Sequence, residues 1–441
     1  MYEQRKSRII QACARSNGSF RVRKGSSSNL FRYVPRQQQA ETTISMADFN
    51  HALYLDADAA TVETEGLVTY EQLVGYTLAR GFLPTVSPEL KHITVAGAIV
   101  GIGIESTCFR HGFVHDGLLE ADVLLSDGRV VTCRPDNEHA DLFHGLPNSY
   151  GTLGYILRAK MRLIPAQAYV RIENRLHDSI GGYLTALREA CTDEGNDFVE
   201  GLFYSDDELY TTTSRMCADA PETLDIYREH IYYKLLRRDN TFYLPTFDYI
   251  FRYDPDWFWN VPEGGIYDLL RRYGPMALRN SGFYARYRLF VNGLERMLGR
   301  KQTSDYEPLI QDWQIPWEQA AEFVQFINDE IDIQDRPWVA GPIVTPRTPT
   351  NYPIRANTLY LNVGCYCSAK KPRADIDYYY TRILDRKCFE LGGVKMLYSS
   401  SFLDRDEFER IYNGGGYSEL KTKYDAAGRA PTLFEKAIMN R

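Results

Sequence analysis

The sequence predicts an α+β chain of two or three domains. Its 441 residues suggest that number, at roughly 150 residues per domain. Strand and helix patterns alternate in the first third, and Pro165 ends a long strand pattern there. The remainder mixes hairpins with long helices. We therefore expect a boundary near Pro165, which divides the chain into residues 1–165 and 166–441.

Local signals place the elements of the first part. Thr69 and Gln72 have the spacing of a capping box, so a helix should begin there and end at Gly81. Asp127-Gly128 separates two apolar runs and predicts a hairpin turn. The predicted strands of this part are 61–68, 123–125, 130–133 and 154–164.

The second part shows longer periodic patterns. A hairpin is predicted where Ser205 to Asp207 separates residues 198–204 from 209–213. Helical spacing covers 317–331 and 376–391, and a strand is predicted over 358–367.

Composition excludes several classes of protein. The chain is 44% apolar, which excludes a mostly disordered protein, and its formal net charge of -7 argues against a nucleic-acid partner. The eight cysteines are scattered, so we expect reduced thiols and an intracellular protein. Cys365 and Cys367 should share one face of a strand. Neither they nor the histidines have the spacing of a metal site, and no metal is predicted.

The chain shows no sequence signal for crossing a membrane. Its start is polar, and its most apolar run, Val95 to Ile104, has only ten residues. A bilayer-spanning helix needs roughly 20 apolar residues. We expect a cytoplasmic protein without a signal peptide or transmembrane helix, and contact with a membrane surface stays open.

One basic and aromatic segment allows two interpretations. Between Ile266 and Lys301 there are eight basic and two acidic residues, with aromatic residues interleaved. An aromatic run, Tyr249 to Trp259, precedes it. The segment is either a surface helix pair packed on the second domain or a membrane-interface segment.

Three stretches rich in glycine or small residues are candidates for chemistry. The first, Lys24 to Asn29, has the small residues and hydroxyls that cradle phosphate. The second, Pro88 to Ser106, alternates apolar residues with glycines, which indicates close backbone approach to a flat or anionic group. The third contains Gly151 and Gly154 before a strand. Ser106 stands where a Rossmann motif needs its third glycine, so that fold is rejected.

In this order the three stretches resemble the FAD-binding domain of the vanillyl-alcohol oxidase and p-cresol methylhydroxylase (PCMH) superfamily. Further motifs are similar to the Δ24-sterol reductase branch, and the resemblance runs from about residue 18 to the end. Leu90 to Ser106 is its most specific part. The motifs of the second half are Phe198 to Ser205, Gly393 to Tyr398 and Leu420 to Tyr424.

The resemblance implies a PCMH-type FAD-binding domain of two α+β subdomains over 1–165, followed by an α+β substrate or cap domain. It implies noncovalent FAD, since the first loop has no His or Cys, and NADPH as a transient electron donor. The residues expected to contact FAD are Lys24, Gly25, Ser26, Ser27, Ser28, Asn29, Pro88, Glu89, Leu90, Thr94, Gly97, Ala98, Gly101, Gly103, Ile104, Ser106, Gly151, Gly154 and Ile156.

The activity implied by the resemblance is reduction of a lipid C=C bond, and we expect the Δ24 bond of a sterol. The eukaryotic sterol reductases carry an N-terminal membrane anchor that this sequence does not show. Bacterial relatives without it include reductases of methylene groups on phospholipid acyl chains. That reaction and alcohol oxidation within the same superfamily remain alternatives, and a flavin-free binding protein is a third. The oligomeric state is left open.

Reduction of an isolated C=C bond needs a proton donor beside the hydride carrier. Glu105 is the first candidate, because an apolar setting after the glycine run would favour its protonated form. Tyr398 is the second. The simpler interpretations are a carboxylate that caps the following backbone and a core tyrosine. No Gly-x-Ser-x-Gly motif supports a hydrolase.

Overall fold

The computed structural model describes residues 1–16, 20–24, 43–261, 263–287, 290, 306–332, 336–373, 376–412 and 416–439. Helices and strands are mixed throughout, which confirms the α+β class. Of the predicted phosphate loop, only Lys24 falls within these ranges. Gly25, Ser26, Ser27, Ser28 and Asn29 lie outside the described residues.

The first sheet is built from the strands that follow α1 (Tyr2–Ala14) and a small parallel pair, β1 (Arg21–Arg23) and β2 (Thr43–Ser45). Its strands lie in the order β3-β4-β8-β6-β7, and β5 pairs with β8. The strands are β3 (Ala52–Asp56), β4 (Thr61–Glu65), β5 (Phe82–Pro84), β6 (Leu118–Leu124), β7 (Val130–Cys133) and β8 (Tyr155–Pro165).

The helices of this part are short. Thr69 accepts from the backbone of Gln72 and closes the predicted capping box, so α2 begins where the spacing indicated. Gly81 follows the helix with φ +80°, which a glycine adopts without strain. The helices are α2 (Tyr70–Leu78), α3 (Val95–Val100), α4 (Cys108–His111) and α5 (Ala140–Gly145), with a 3₁₀ turn at Val114–Gly117.

The second sheet has eight strands in the order β12-β9-β11-β10-β14-β15-β13-β16, paired antiparallel. The predicted hairpin is present as β10 and β11. The strands are β9 (Tyr169–His177), β10 (Phe198–Phe203), β11 (Leu209–Cys217), β12 (Thr241–Pro245), β13 (Tyr306–Pro316), β14 (Trp338–Ile343), β15 (Tyr360–Lys370) and β16 (Val394–Lys395).

Helices α6, α11 and α12 are among those that pack against this sheet. The predicted helix at 317–331 begins with a 3₁₀ turn, Trp317–Gln319, and the one at 376–391 is α12. The helices are α6 (Ile180–Thr192), α7 (Tyr232–Leu235), α8 (Thr246–Ile250), α9 (Ile266–Tyr273), α10 (described over 281–287), α11 (Ala320–Glu330), α12 (Tyr379–Glu390), α13 (Arg405–Tyr412), α14 (Tyr417–Tyr424) and α15 (Leu433–Ala437).

The change from one sheet to the other falls between Pro165 and Tyr169. One hydrophobic core nevertheless runs through both sheets, so the predicted division into 1–165 and 166–441 stays a prediction. Cys365 and Cys367 lie buried on β15 with their Sγ atoms 3.0 Å apart, as expected for one strand face. None of the helices in the described ranges combines enough length and apolar character to cross a bilayer.

The aromatic run from Tyr249 to Trp259 corrects one expectation. It is not available to a membrane surface, because Phe251, Tyr253, Trp257, Phe258 and Trp259 are all buried in the core. Local aromatic composition could not separate an interfacial stretch from a core stretch. The run precedes α9, which does expose apolar side chains.

Candidate functional site

The second and third glycine-bearing stretches lie side by side. Thr94 caps α3, and the carbonyl of Val100 at its end accepts from the backbone N–H of Tyr150 at 3.2 Å. The carbonyl of Gly103 accepts from Val114 at 3.0 Å. Lys24 is close as well, since its Nζ lies 4.0 Å from where a Cβ on Gly97 would stand. The described remnant of the first stretch thus meets the second.

Two of these glycines are required by the chain's own packing. A Cβ on Gly103 would stand 2.7 Å from Val114 Cγ2, and one on Gly154, where φ is +146°, would stand 2.6 Å from Val123 Cγ1. Their presence therefore has a structural cause beside the predicted cofactor. The FAD contacts proposed for them remain predictions.

Left-handed backbone gathers in the same place. Ile102, Asn148 and Tyr150 have φ values of 59°, 58° and 49°. Such residues cost about 1–3 kcal/mol each and persist where the surroundings hold them, often at ligand-binding sites. The β-branched Ile102 is the least suited to this conformation.

Glu105 follows this strained stretch and is buried in an ion cluster. Its Oε1 accepts from the backbone N–H of Ser106 at 2.8 Å, from the Ser106 hydroxyl at 2.7 Å and from Arg252 Nη2 at 2.7 Å. Arg252 also donates to Glu200 of β10, at 2.6 Å from Nη2 and 3.2 Å from Nε. The contacts with Ser106 agree with the capping interpretation of Glu105, and its catalytic role stays a prediction.

We call Glu89, Glu105, Glu200 and Arg252 the carboxyl cluster. One oxygen from each of the three carboxylates lies within 4.8 Å of the others, a spacing that could hold a metal ion. The guanidinium of Arg252, whose side chain is fully buried, already lies 2.6–3.8 Å from all three. The cluster therefore has its cation, and we assign no metal to it.

Tyrosine rings surround that cation. The Arg252 guanidinium lies 4.5 Å from the ring centre of Tyr249, 5.1 Å from that of Tyr253 and 5.6 Å from that of Tyr232. The Tyr232 hydroxyl also donates to Glu200 at 2.7 Å. The ring contacts stabilise the buried guanidinium through cation–π attraction.

Tyr398 belongs to a second group, which we call the tyrosine cluster: Asp312, Asn362, Tyr366 and Tyr398. The hydroxyls of Tyr398 and Tyr366 donate to Asp312 Oδ2 at 2.5 and 2.9 Å, and the Asn362 amide donates to Oδ1 at 2.8 Å. Burial raises the pKa of Asp312 to about 6, although these hydrogen bonds oppose the shift.

The two clusters lie on one face of the second sheet. Gly201 of β10 and Val363 of β15 both pair with Ala340 of the strand between them. Because successive residues of a strand point to opposite faces, their neighbours Glu200 and Asn362 share the other face. That face meets the segment that contains Glu105, since the N–H of Val199 donates to the carbonyl of Ser106 at 2.9 Å.

Sequence reasoning found Glu105 and Tyr398 but none of their partners Glu200, Arg252, Asp312 and Tyr366. The two predicted residues belong to separate hydrogen-bond clusters. The available signal was a polar residue inside an apolar strand pattern, such as Asp312 on β13, because buried polar groups need partners.

The other predicted FAD contacts within the described ranges are Lys24 and residues of the segments 88–106 and 151–156, which together we call the α3 block. Leu90, Ala98 and Ile156 are buried in the core. The described set consists of Lys24, Pro88, Glu89, Leu90, Thr94, Gly97, Ala98, Gly101, Gly103, Ile104, Ser106, Gly151, Gly154 and Ile156.

Comparison with known proteins relates most of these residues to a family of FAD-binding domains. The FAD binding domain family matches residues 3–134. Delta(24)-sterol reductase of Homo sapiens is 26% identical over 407 residues, covering 89% of this chain and 77% of that protein. The Caenorhabditis elegans homolog is 25% identical and covers 98% and 83%, and the Arabidopsis thaliana enzyme is 24% identical and covers 93% and 79%.

The chain is an FAD-dependent oxidoreductase that is similar over most of its length to proteins named Delta(24)-sterol reductase. This confirms the resemblance drawn from the glycine-bearing stretches. The matched range, residues 3–134, contains α3, so the residues around α3 are tested below for their fit to FAD.

The residues of the block fit such a cofactor. Ser87 Oγ, both ring nitrogens of His115 and Asn148 Oδ1 are buried, and within the described ranges no hydrogen-bond partner reaches them. Buried polar atoms of that kind are normally satisfied by a bound molecule or water. Burial also lowers the pKa of His115, so its ring is neutral and offers one donor and one acceptor.

Proposed function

We propose that this oxidoreductase reduces a C=C bond of a lipid, the Δ24 bond of a sterol, with NADPH as electron donor. Its relatives named as Delta(24)-sterol reductases align over most of their length. The observation that carries the proposal is the pair of buried clusters with protonatable groups on the sheet face beside the α3 block. Alkene reduction needs a donor of this kind.

In this proposal residues 1–165 hold noncovalent FAD and residues 166–441 cover it and shape the substrate pocket. Lys24 would neutralise cofactor phosphate, and Thr94 to Gly103 with Gly151 to Ile156 would form the wall beside it. Bound FAD would supply the hydride. The protein would orient the alkene and exclude water. It would present a proton from Tyr398 or from a carboxyl group of the carboxyl cluster, to which Glu105 belongs.

The test is anaerobic reduction of purified, FAD-loaded protein by NADPH, followed by addition of desmosterol. We expect the flavin absorbance to bleach with NADPH and to return with desmosterol. Return only with a methylene-acyl phospholipid would move the substrate to fatty acyl chains. No bleaching with NADPH or NADH, together with oxygen consumption on an added alcohol, would make the protein an oxidase.

We also propose that the exposed face of α9 contacts a membrane and thereby collects the lipid. Leu269, Leu270 and Tyr273 are 59%, 54% and 72% exposed, whereas Arg271 of the same helix is buried against Asp256 at 2.6 Å. The helix thus buries its Arg271–Asp256 ion pair and exposes apolar side chains. Such a surface is more stable against an apolar environment than in water. Arg272 beside the face would favour anionic lipid.

Sedimentation with anionic vesicles at low salt tests the contact. Wild-type protein should sediment, and Leu269→Glu/Leu270→Glu should stay in solution. Leu176→Glu, at a position equally exposed on β9, is the control and should sediment like wild type. Wild-type protein that does not bind would remove the membrane proposal and leave the reductase proposal untouched.

A further inference from the structure

The charges of the carboxyl cluster do not balance if all its members are ionised. Glu89, Glu105 and Glu200 would carry three negative charges against the single positive charge of Arg252. The side chains of Arg252, Glu105 and Glu200 are 0%, 0% and 4% exposed, and that of Glu89 is 18% exposed. A buried group in surplus takes up a proton rather than remain charged.

The donors of the cluster are shared unequally. Glu105 accepts three hydrogen bonds on Oε1, and Glu200 accepts from Arg252 on both oxygens and from Tyr232. Arg252 Nη2 is 3.8 Å from Glu89, too far for a hydrogen bond. Glu105 and Glu200 therefore each accept hydrogen bonds from direct donors, whereas Glu89 accepts none from Arg252.

A carboxylate oxygen of Glu89 lies within 4.8 Å of a carboxylate oxygen of Glu105. Two carboxyl groups so close together can share a hydrogen bond only when one of them carries a proton. Glu105 Oε2 receives no N–H or other O–H from the residues that the structure describes, so it is free to accept this proton. Burial and the charges of Glu105 and Glu200 raise the pKa of Glu89 well above its ordinary value, against the opposing effect of Arg252.

The other ionisable groups around Glu89 do not change this balance. They are Tyr253, Tyr366 and Cys108, and burial raises the pKa of each, with the charge of Glu89 adding to the shift. All three are therefore neutral near neutral pH and bring no positive charge. Arg252 remains the cation of this group.

We propose that Glu89 is the proton-carrying carboxyl of the cluster, that it shares its proton with Glu105, and that Arg252 and Glu200 are positioning residues. Its use as proton reservoir for alkene reduction rests on the proposed function. There the electron pair of the double bond would form the new C–H bond with the Glu89 proton, and bound FAD, once reduced by NADPH, would supply the hydride for the other carbon. Glu89 is left as a carboxylate and regains a proton from solvent at its exposed edge.

Infrared difference spectroscopy of the FAD-loaded protein locates the proton without any substrate. The C=O stretch of a protonated carboxyl should be present in wild type well above pH 6, where Asp312 and Asp248, with pKa values of about 6, are ionised. Glu89→Gln should remove the band in that pH range. Glu105→Gln should keep it but lower the pH at which it titrates, because one negative neighbour is gone.

Glu208→Gln, in a surface ion pair with Arg237, is the control and should leave the band unchanged. A band that survives in Glu89→Gln and disappears in Glu105→Gln would place the proton on Glu105 and overturn the inference. Absence of any such band in wild type would overturn it as well. Failure to reduce any lipid, with the band present and lost in Glu89→Gln, would instead count against the proposed function alone.

A second measurement, the free energy of unfolding as a function of pH, tests the proposal when a variant is less stable than wild type. Since the folded pKa of Glu89 lies above its ordinary value of 4.5, its stabilising contribution is complete below that pH and is lost as pH rises through the raised pKa. In Glu89→Gln, whose amide donates as the protonated acid does, the free energy of unfolding should not fall with this titration. An equal fall of the unfolding free energy with pH in variant and wild type would contradict the proposal.

Discussion

The carboxyl cluster and the tyrosine cluster share one face of the second sheet but keep their buried carboxylates in different ways. In the carboxyl cluster a guanidinium at 2.6 and 2.7 Å supplies a full charge to Glu200 and Glu105. In the tyrosine cluster, neutral phenols and an amide donate to Asp312. A cation holds carboxylates ionised, whereas neutral donors leave burial to dominate and allow the carboxyl to titrate near neutral pH.

The largest expected difference is the cost of losing Arg252. Arg252→Met leaves the carboxylates of Glu105 and Glu200 without their cation, which should lower the free energy of unfolding by about 3–5 kcal/mol. Urea denaturation at neutral pH measures this loss.

Arg237→Met is the matched control for that prediction. Arg237 pairs with Glu208, and both side chains are about 30% exposed, so its loss should cost no more than about 1 kcal/mol. Equal losses in the two variants would mean that the buried guanidinium does not hold the carboxyl cluster together.

Asp312 should make the tyrosine cluster sensitive to pH. Its folded pKa of about 6 lies above the ordinary value of 3.8, so its stabilising contribution is complete below 3.8 and is lost as pH rises through about 6. The shift corresponds to about 3 kcal/mol at most. The difference in unfolding free energy between wild type and Asp312→Asn should therefore change over this interval and be constant above it.

Measuring both proteins at each pH removes the contribution of every other titrating group. If the difference does not vary with pH, the pKa of Asp312 is the same in the folded and the unfolded protein, and burial does not outweigh the neutral donors.

The variant Tyr398→Phe tests which of the two clusters supplies the proton for the reaction. If Tyr398 presents the proton, Tyr398→Phe should slow flavin reoxidation by the lipid about 100-fold, the lower end for general acid catalysis, and leave flavin reduction by NADPH unchanged. Stopped-flow absorbance separates the two half-reactions. Tyr210→Phe, which loses the hydrogen bond from its hydroxyl to Glu208 at 3.1 Å and lies outside both clusters, is the control.

An unchanged reoxidation rate in Tyr398→Phe would make Tyr398 a structural tyrosine. The proton would then come from the carboxyl cluster. In that case Glu89→Gln should slow the same half-reaction.

How far the sequence predicts this molecule depends on the range of the interactions. The capping box at Thr69, the hairpin at Asp127-Gly128 and the left-handed Gly81 just after α2 are local, and each was indicated by adjacent residues. Arg252 reaches Glu105 across 147 positions and Glu200 across 52. No spacing rule connects such partners, since the fold alone brings them together.

The aromatic run from Tyr249 to Trp259 shows the opposite failure. Its composition was visible, but the same residue types suit a membrane interface and a hydrophobic core. Burial decides between them, and burial follows from the packing around Arg252 and β15. Phe258, for example, stacks on Tyr366 with the ring centres 3.7 Å apart.

The smallest expected effect concerns coupling between the clusters. Glu200 and Asp312 share no hydrogen-bond partner among the contacts described above. The losses of unfolding free energy in Glu200→Gln and Asp312→Asn should therefore add to within about 0.5 kcal/mol in the double variant. Denaturation of the four proteins of this cycle, above pH 6, measures the coupling.

A second cycle combines Glu89→Gln with Tyr366→Phe, because a charge on Glu89 would act on Tyr366. If Glu89 carries a proton, neither side chain is charged, and the losses of unfolding free energy in the two single variants should also add. Coupling above about 1 kcal/mol in the first cycle would show one continuous network. The contrast between a cation-held and a neutral cluster would then describe two ends of a single site.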